Sequence, residues 1–149
     1  MSSQVLSCAP EDSLNRAAQI MWEQDCGCLP VVDAEGEVVG IITDRDICMA
    51  AYTQGIALQG ASVGSAMSHP VVGCRTEDSI AHVEQLMKER QLRRIPVLND
   101  LNCLAGMITV ADLARSAELQ GLRGAVSAPG IAHTLAGICK PREHAAAAA

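Results

Sequence analysis

Apolar and polar positions follow one another in an order that predicts a mixed helix and strand domain. The pair Asp12-Ser13 is typical of a helix N-cap. The run after it places apolar residues on one helical face: Leu14, Ala17, Ala18 and Met21. Two apolar segments come next, 29–32 and a second that ends at Thr43, with a polar turn between them and a further helix behind them. With the apolar segment 5–8 in front, the predicted order is strand, helix, strand, strand, helix.

The same order recurs once, at a constant offset of 66 residues that relates Pro30 to Pro96. The offset needs no gap. It also relates the following pairs: Gly40 and Gly106, Thr43 and Thr109, Asp46 and Asp112, Cys8 and Cys74. A unit of roughly 50 residues is marginal as a domain that folds alone. We therefore expect the two copies to pair and to bury a common sheet face.

The repeat divides the chain into four segments. The first unit takes residues 1–55, a glycine-containing linker takes 56–68, the second unit takes 69–118, and a C-terminal extension takes 119–149. The alanine-rich end of the extension is unlike the rest of the chain, and it is left out of the fold argument.

Composition and charge exclude several classes of function. Aromatic residues make up 1% of the chain and the net charge is -6, which argues against a phosphate-tracking or base-stacking surface for nucleic acid. No segment approaches the ~18 consecutive apolar residues of a membrane helix, and the first residues lack the basic and apolar regions of a signal peptide. We expect a cytoplasmic protein that binds neither nucleic acid nor membrane.

The cysteines and histidines offer little for catalysis or metal binding. Seven cysteines, an odd number, do not fit a disulfide framework and are expected to be mostly buried thiols. Cys26 and Cys28, with His69 or His82, leave a zinc or thiol sensor open as an alternative. No second cysteine pair has ligand spacing, so we expect no metal site. Neither a nucleophile motif nor a phosphate-binding loop occurs, so we expect no enzyme.

A heptapeptide occurs twice at the repeat offset, at 40–46 and 106–112: Gly, two apolar residues, Thr, two variable residues and Asp. With a proline-containing strand before each heptapeptide, the unit resembles the CBS domain, and the tandem resembles a CBS pair (Bateman module) over residues 5 to about 116. The chain is similar to small stand-alone bacterial CBS-pair signalling proteins. The resemblance implies an α+β fold in which two CBS units, each β-α-β-β-α, pack as a pseudo-two-fold pair.

The resemblance also implies a function. CBS pairs bind adenosine-containing ligands, such as AMP, ADP, ATP, NAD or S-adenosylmethionine, in clefts between the units and signal occupancy by repacking. The nucleotide is then a regulatory ligand and no cofactor is required, while a homodimer through the CBS units and an effector protein are the expected partners. Carried over by position, Asp46 and Asp112 would accept hydrogen bonds from ribose hydroxyls. Thr43 and Thr109 would bond ribose or phosphate.

Elementary chemistry at these strand-to-helix steps favours an anionic ligand. The start of a helix offers free backbone N–H groups and the positive end of the helix dipole. Arg45 adds a planar guanidinium suited to phosphate. The second copy has Ala111 there, and it is either an empty site or one served by Arg94 and its neighbour Arg93. Two structural alternatives stay open. Thr-x-x-Asp is also the pattern of a helix capping box, and the arginine pair is also consistent with a solvated strand end.

Adenine needs a flat apolar slot. Because the chain has so few aromatic residues, aliphatic side chains would have to line that slot. Candidates for the slot, three in each copy, are Val5, Leu6, Pro30, Val71, Val72 and Pro96. All six are equally consistent with ordinary core positions. A further alternative for the whole chain is a structural or interaction dimer whose nucleotide sites are vestigial.

Overall fold

A computed structural model describes residues 5–120 and 127–141 of the chain. The alanine-rich end of the predicted extension lies outside the described residues. The structure is a mixture of helices and strands in which the predicted helix, strand, strand, helix order occurs in both copies. Within the described part of the chain, no helix is long and apolar enough to cross a membrane.

The first copy has its elements where the apolar pattern predicts them. They are α1 (Leu14–Glu23), β1 (Cys28–Val32), β2 (Val38–Thr43) and α2 (Asp44–Gln54). Strands β1 and β2 are antiparallel, with Leu29 opposite Ile42. Alternate residues of β2 are buried, as expected of a strand with one face on the core. Two short 3-10 turns, Leu58–Gly60 and Val63–Ser65, follow in the predicted linker.

The second copy repeats this order and adds a helix in the predicted extension. Its elements are β3 (Cys74–Arg75), α3 (Ile80–Arg90), β4 (Arg94–Leu98), β5 (Leu104–Thr109) and α4 (Val110–Gln120), followed by α5 (Ala128–Ile138). The strands form a sheet of order β3-β4-β5, in which β3 and β4 are parallel. The tandem α+β interpretation is confirmed.

The strand predicted at the front of each copy is much shorter than its apolar segment. In the first copy only Cys8 pairs, as a bridge to Val31, and in the second copy β3 has two residues. Pro10 follows two residues after Cys8 and has no N–H group to donate, so the ladder cannot continue there. Residues 5–8 and 71–74, which we call the lead segments, nevertheless run parallel to the strands that carry the repeated proline.

Serine side chains start the first helix of each copy, as the Asp-Ser pattern predicts. The Ser13 Oγ accepts a hydrogen bond from the backbone N–H of Arg16 at 3.1 Å. The Ser79 Oγ does the same for His82 at 3.2 Å. Each serine satisfies one of the backbone donors that a helix start leaves without a partner.

Two compact units make up the described structure, and they do not coincide with the sequence repeats. The first contains residues up to Thr76 together with 96–107, and the second contains 77–95 together with the chain from Ile108 onward. The core of the first unit is built from aliphatic side chains and one thiol. It includes Cys8, Leu14, Ala17, Met21, Leu29, Val31, Ile42, Ile47, Ala50, Ala61 and Val63. The chain's only aromatic side chains, Trp22 and Tyr52, are exposed.

In the second unit, α5 packs against α3 and α4. The helix begins at the N-cap Ser127, whose Oγ accepts from the Gly130 N–H at 3.2 Å, and it buries Ile131, Thr134 and Ile138. The buried Thr134 hydroxyl donates to Glu84 Oε1 of α3 at 3.2 Å, so its polar atom is satisfied. The extension therefore contributes part of this unit's core.

Replacing Leu14 by alanine tests the assignment of the first core. Leu14 has no exposed surface, so we expect Leu14→Ala to lower the free energy of unfolding by about 2–5 kcal/mol through lost burial and a residual cavity. Leu101→Ala in the same unit removes a side chain that is 72% exposed. This substitution should change the free energy of unfolding by less than about 0.5 kcal/mol. Urea denaturation followed by circular dichroism measures both, and equal losses would contradict the assignment.

Candidate functional site

The first candidate site lies where β2 ends and α2 begins, at residues 43–46, which we call the first junction. Thr43 has extended backbone and caps α2. Its hydroxyl accepts from the Asp46 N–H at 3.2 Å and donates to Asp46 Oδ2 at 2.7 Å. Asp46 Oδ2 also accepts from the Thr43 N–H at 3.0 Å. The capping box is therefore formed, and it holds both predicted ligand-binding side chains against each other.

The second junction, residues 109–112, repeats this arrangement between β5 and α4. The Thr109 hydroxyl accepts from the Asp112 N–H at 3.1 Å and donates to Asp112 Oδ2 at 2.8 Å. The Thr109 N–H donates to the same oxygen at 2.9 Å. The repeat at the level of sequence is thus a repeat of side-chain geometry as well.

The junctions differ in what the second carboxylate oxygen does. Asp112 Oδ1 accepts from the Arg115 guanidinium at 2.6 Å, and the pair counts as an ion pair. The residue related to Arg115 by the repeat is Met49, which has no charge. Among the described residues, no side chain or backbone group donates to Asp46 Oδ1. Asp46 therefore keeps one carboxylate oxygen without a donor among the described residues, while the corresponding oxygen of Asp112 accepts from Arg115.

The backbone donors at the two helix starts also differ from the expectation of free N–H groups. At α2 the Asp44 N–H donates to Gly27 O at 3.4 Å, the Arg45 N–H donates to Asp44 Oδ1 at 2.7 Å, and the Asp46 N–H serves the capping box. The first junction thus has no free donor among these three, which corrects the expectation there. The cause is the Asp44 side chain, which bonds its own neighbour's amide.

At α4 one such donor stays open. The Val110 N–H donates to Arg93 O at 3.0 Å and the Asp112 N–H to Thr109 Oγ1, whereas the Ala111 N–H has no acceptor within the described structure. Val110 stands where the first copy has Asp44, and its side chain has no oxygen that could accept from the Ala111 N–H. The bond to Arg93 O also brings the exposed arginine pair, Arg93 and Arg94, to the start of α4. Arg45 is exposed too.

The six aliphatic candidates for the adenine slot fall into two groups. Pro30 and Pro96 are less than 2% exposed, so they are core residues of the first compact unit. Val5, Val71 and Val72 are half-buried, and Leu6 is 48% exposed. The first lead segment runs beside the strand that carries Pro30, and the Cys8 N–H donates to Pro30 O at 3.1 Å.

In the second copy the predicted residues belong to different compact units. Val71, Val72 and Pro96 lie in the first unit, whereas Arg94, Thr109 and Asp112 lie in the second. The structure thus groups the aliphatic candidates with one another and the polar candidates with one another.

Hydrogen bonding lowers the pKa of Asp112. Burial by itself raises the pKa of this carboxyl, but the hydrogen bonds from the Thr109 hydroxyl, the Thr109 amide and Arg115 outweigh it, so the pKa lies below the ordinary 3.8. The carboxylate is therefore ionised at neutral pH.

The thiols differ in exposure, and the described residues contain no metal-binding cluster. In these residues no group of three or more His, Cys, Asp or Glu side chains could hold a metal ion. Cys8 and Cys74 are buried, Cys26, Cys28 and Cys103 are half-buried, and Cys48 and Cys139 are exposed. Burial, and to a smaller extent the charge of Asp12, raises the pKa of the Cys8 thiol to about 12. Cys8 is therefore a protonated core thiol rather than a nucleophile.

The lowered pKa of Asp112 predicts a pH dependence of stability. A carboxylate with a depressed pKa in the folded state contributes stability above its unfolded pKa, and this is lost as pH falls through the folded value. The difference in unfolding free energy between wild type and Asp112→Asn should therefore shrink below about pH 3.8. In Arg115→Met, which lacks the cation, the loss should begin at higher pH. Urea denaturation across this range measures both, and a difference independent of pH would contradict the prediction.

Thiol exposure predicts an order of alkylation. In the native protein iodoacetamide should modify Cys48 and Cys139 first, and Cys8 last, because Cys8 is both buried and protonated. Peptide mass spectrometry after timed quenching gives the order, and denaturant should abolish it. Labelling of native Cys8 as fast as Cys48 would show that Cys8 is not a core thiol.

Comparison with known proteins places this geometry in a family. The family model described as "CBS domain" matches residues 1–52 and 63–118. The CBS domain-containing protein YhcV of Bacillus subtilis is 35% identical over 114 residues, which are 76% of this chain and 79% of that protein. Hypoxic response protein 1 of Mycobacterium tuberculosis is 32% identical over 115 residues, covering 77% of this chain and 80% of that protein.

Solved structures agree with the family model. The crystal structure of Hypoxic Response Protein I with two coordinated zinc ions has a TM-score of 0.70 and 32% identity, covering 77% of this chain and 92% of that chain. The CBS domain pair of protein MJ0100, solved in complex with 5'-methylthioadenosine and S-adenosyl-L-methionine, has a TM-score of 0.70 and 26% identity over 77% of this chain and 89% of that one. The chain therefore belongs to the CBS domain family and carries two CBS domains in tandem.

Proposed function

We propose that this chain is a non-catalytic regulatory module that binds an adenosine-containing ligand at its two junctions and signals occupancy by a change in packing. The observation that carries the proposal is the open acceptor Asp46 Oδ1, held at a helix start beside a threonine that the box also fixes. A CBS pair of similar fold is known in complex with 5'-methylthioadenosine and S-adenosyl-L-methionine. That complex supports a ligand of the same class here.

The capping box limits which ligand groups each side chain can bind. The Thr43 hydroxyl has one hydrogen, which it donates to Asp46, and one of its two lone pairs takes the Asp46 N–H. What remains is a single acceptor site. Thr43 can thus accept from a ribose hydroxyl, but it cannot donate to a phosphate without leaving the box. The same holds for Thr109, whose hydrogen bonds are the same.

Ribose suits the groups that remain. A ribose diol offers two O–H donors, which match the free lone pair of Thr43 and the free oxygen Asp46 Oδ1. A hydrogen bond to an ionised carboxylate contributes roughly 1.5–3 kcal/mol, about twice the value of a neutral pair. In the first copy, adenine would lie against the aliphatic side chains of the lead segment, Val5 and Leu6.

Ligand-induced stabilisation tests the proposal. AMP, ADP, ATP, NAD and S-adenosylmethionine would each be added to the purified chain in a thermal-shift assay. A ligand present at a hundredfold excess over its Kd stabilises the folded state by about 2.7 kcal/mol, which for a chain of this size raises Tm by about 5 °C or more. The double variant Asp46→Ala/Asp112→Ala should lose this shift.

The two aspartates also cap helices, so the variant needs a control for lost stability. Ser13→Ala/Ser79→Ala removes one helix cap from each copy, at a cost of about 1 kcal/mol per cap, and leaves both junctions intact. Both double variants should melt earlier than wild type, but only the aspartate variant should lose the ligand shift. Absence of a shift with all five ligands in wild type, or an unchanged shift in the aspartate variant, would refute the proposal.

A further inference from the structure

We propose that the two junctions select adenosine ligands of different charge. The second junction takes a ligand that carries phosphate, and the first takes an uncharged or cationic one. The inference rests on the proposed function and adds to it which ligand class each junction accepts.

The first observation concerns backbone donors. Phosphate at a helix start is held by N–H groups that point out of the first turn. The Asp44 carboxylate already occupies the Arg45 N–H at 2.7 Å, so a phosphate there would have to displace a covalently tethered anion. At the second junction Val110 leaves the Ala111 N–H without an acceptor within the described structure. Only the second junction thus offers this donor.

The second observation concerns side-chain charge. The first turn of α2 carries two carboxylates, Asp44 and Asp46, against one guanidinium, Arg45. The first turn of α4 carries one carboxylate, Asp112, and Arg115 pairs with it at 2.6 Å. The first helix start is therefore negative before any ligand arrives, and the second is neutral.

Arg93, the residue just before β4, adds positive charge at the second junction. The backbone of Arg93 accepts the Val110 N–H at 3.0 Å, which anchors the exposed Arg93 and its neighbour Arg94 at the start of α4. The related bond at the first junction goes from the Asp44 N–H to Gly27, a residue without charge. The same backbone contact therefore places an exposed arginine, Arg93, at one junction and an uncharged glycine, Gly27, at the other.

Arg45 does not reverse this difference. Its guanidinium makes no ion pair or hydrogen bond within the described residues, but it stands between Asp44 and Asp46 in the chain and offsets only one of them. A sulfonium or an uncharged 5' group avoids the remaining repulsion, whereas a phosphate dianion would face it. The phosphate preference expected from Arg45 alone is thus replaced by a preference of the second junction.

Two probes that differ only at the 5' position of adenosine test the proposal: AMP, which carries a phosphate, and 5'-methylthioadenosine, which has no charge. Nitrogen-15 NMR titration of the full chain separates the junctions, because the amides of Thr43 and Arg45 report on the first and those of Thr109 and Ala111 on the second. AMP should shift the second set at lower concentration than the first. Methylthioadenosine should not shift the second set of amides before the first. Added salt should weaken the binding of AMP but not that of methylthioadenosine.

Two substitutions, one at each junction, test the charge difference. Asp44→Val installs the residue of the second copy and should raise the AMP affinity of the first junction by about three- to tenfold, the effect of one nearby charge at a partly exposed site. Arg93→Gln should lower the AMP affinity of the second junction by a similar factor. Neither variant should change methylthioadenosine binding at the second junction by more than about twofold. Arg16→Gln, in an exposed arginine of α1 outside both junctions, controls for the change in net charge that Arg93→Gln makes.

The outcomes separate this inference from the proposed function. If both probes bind but show the same order, or if Asp44→Val and Arg93→Gln behave like Arg16→Gln, the assignment of charge classes is wrong while nucleotide binding stands. If neither probe moves the amides of either junction in wild type, the proposed function fails and the inference fails with it. The assignment is supported if Asp44→Val raises AMP affinity at the first junction and Arg93→Gln lowers it at the second. Methylthioadenosine binding at the second junction should then stay unchanged in both variants.

Discussion

Both copies depend on one interaction, the reciprocal capping of a helix by a threonine and an aspartate. A helix start leaves its first backbone N–H groups without partners, and here the threonine hydroxyl satisfies one of them while the aspartate returns to the threonine amide. Because Thr43 and Thr109 are also the last residues of strands, the same bonds define where the chain turns from sheet to helix. The carboxylate is thereby held in one position at each junction.

Capping and ligand binding had been alternative explanations of Thr-x-x-Asp, yet the geometry allows both. A carboxylate has two oxygens, and the box uses only Oδ2 of Asp46 and of Asp112. The stability of the helix start and the orientation of the ligand acceptor therefore come from the same bonds. A ligand site built this way needs no rearrangement of the carboxylate on binding, which lowers the entropic cost of association.

Much of the fold could be predicted because local and tertiary preferences agree there. The Asp-Ser caps, the amphipathic face of α1 and the alternating strand β2 all lie where the periodicity places them. The lead strands were overestimated, since apolar character alone does not show which backbone groups find a partner strand, and here only Cys8, Cys74 and Arg75 do. Helix α5 was not predicted, because its glycines and proline are poor helix formers and its stability comes from packing on α3 and α4. The helical spacing of Ile131 and Ile138, behind the N-cap residue Ser127, was the available signal.

The candidate site was only half predictable, for a related reason. Repeat spacing identifies Thr43, Asp46 and their counterparts, since the box demands those residues at those positions. It cannot reveal which oxygen or amide is already occupied, because that depends on neighbours the box does not constrain: Asp44 against Val110, and Met49 against Arg115. The duplicated box keeps the backbone of both junctions alike, so these neighbours were free to diverge without loss of the helix start. Under the proposed function, charge differences between the junctions would therefore change which ligand fits while the fold stays the same.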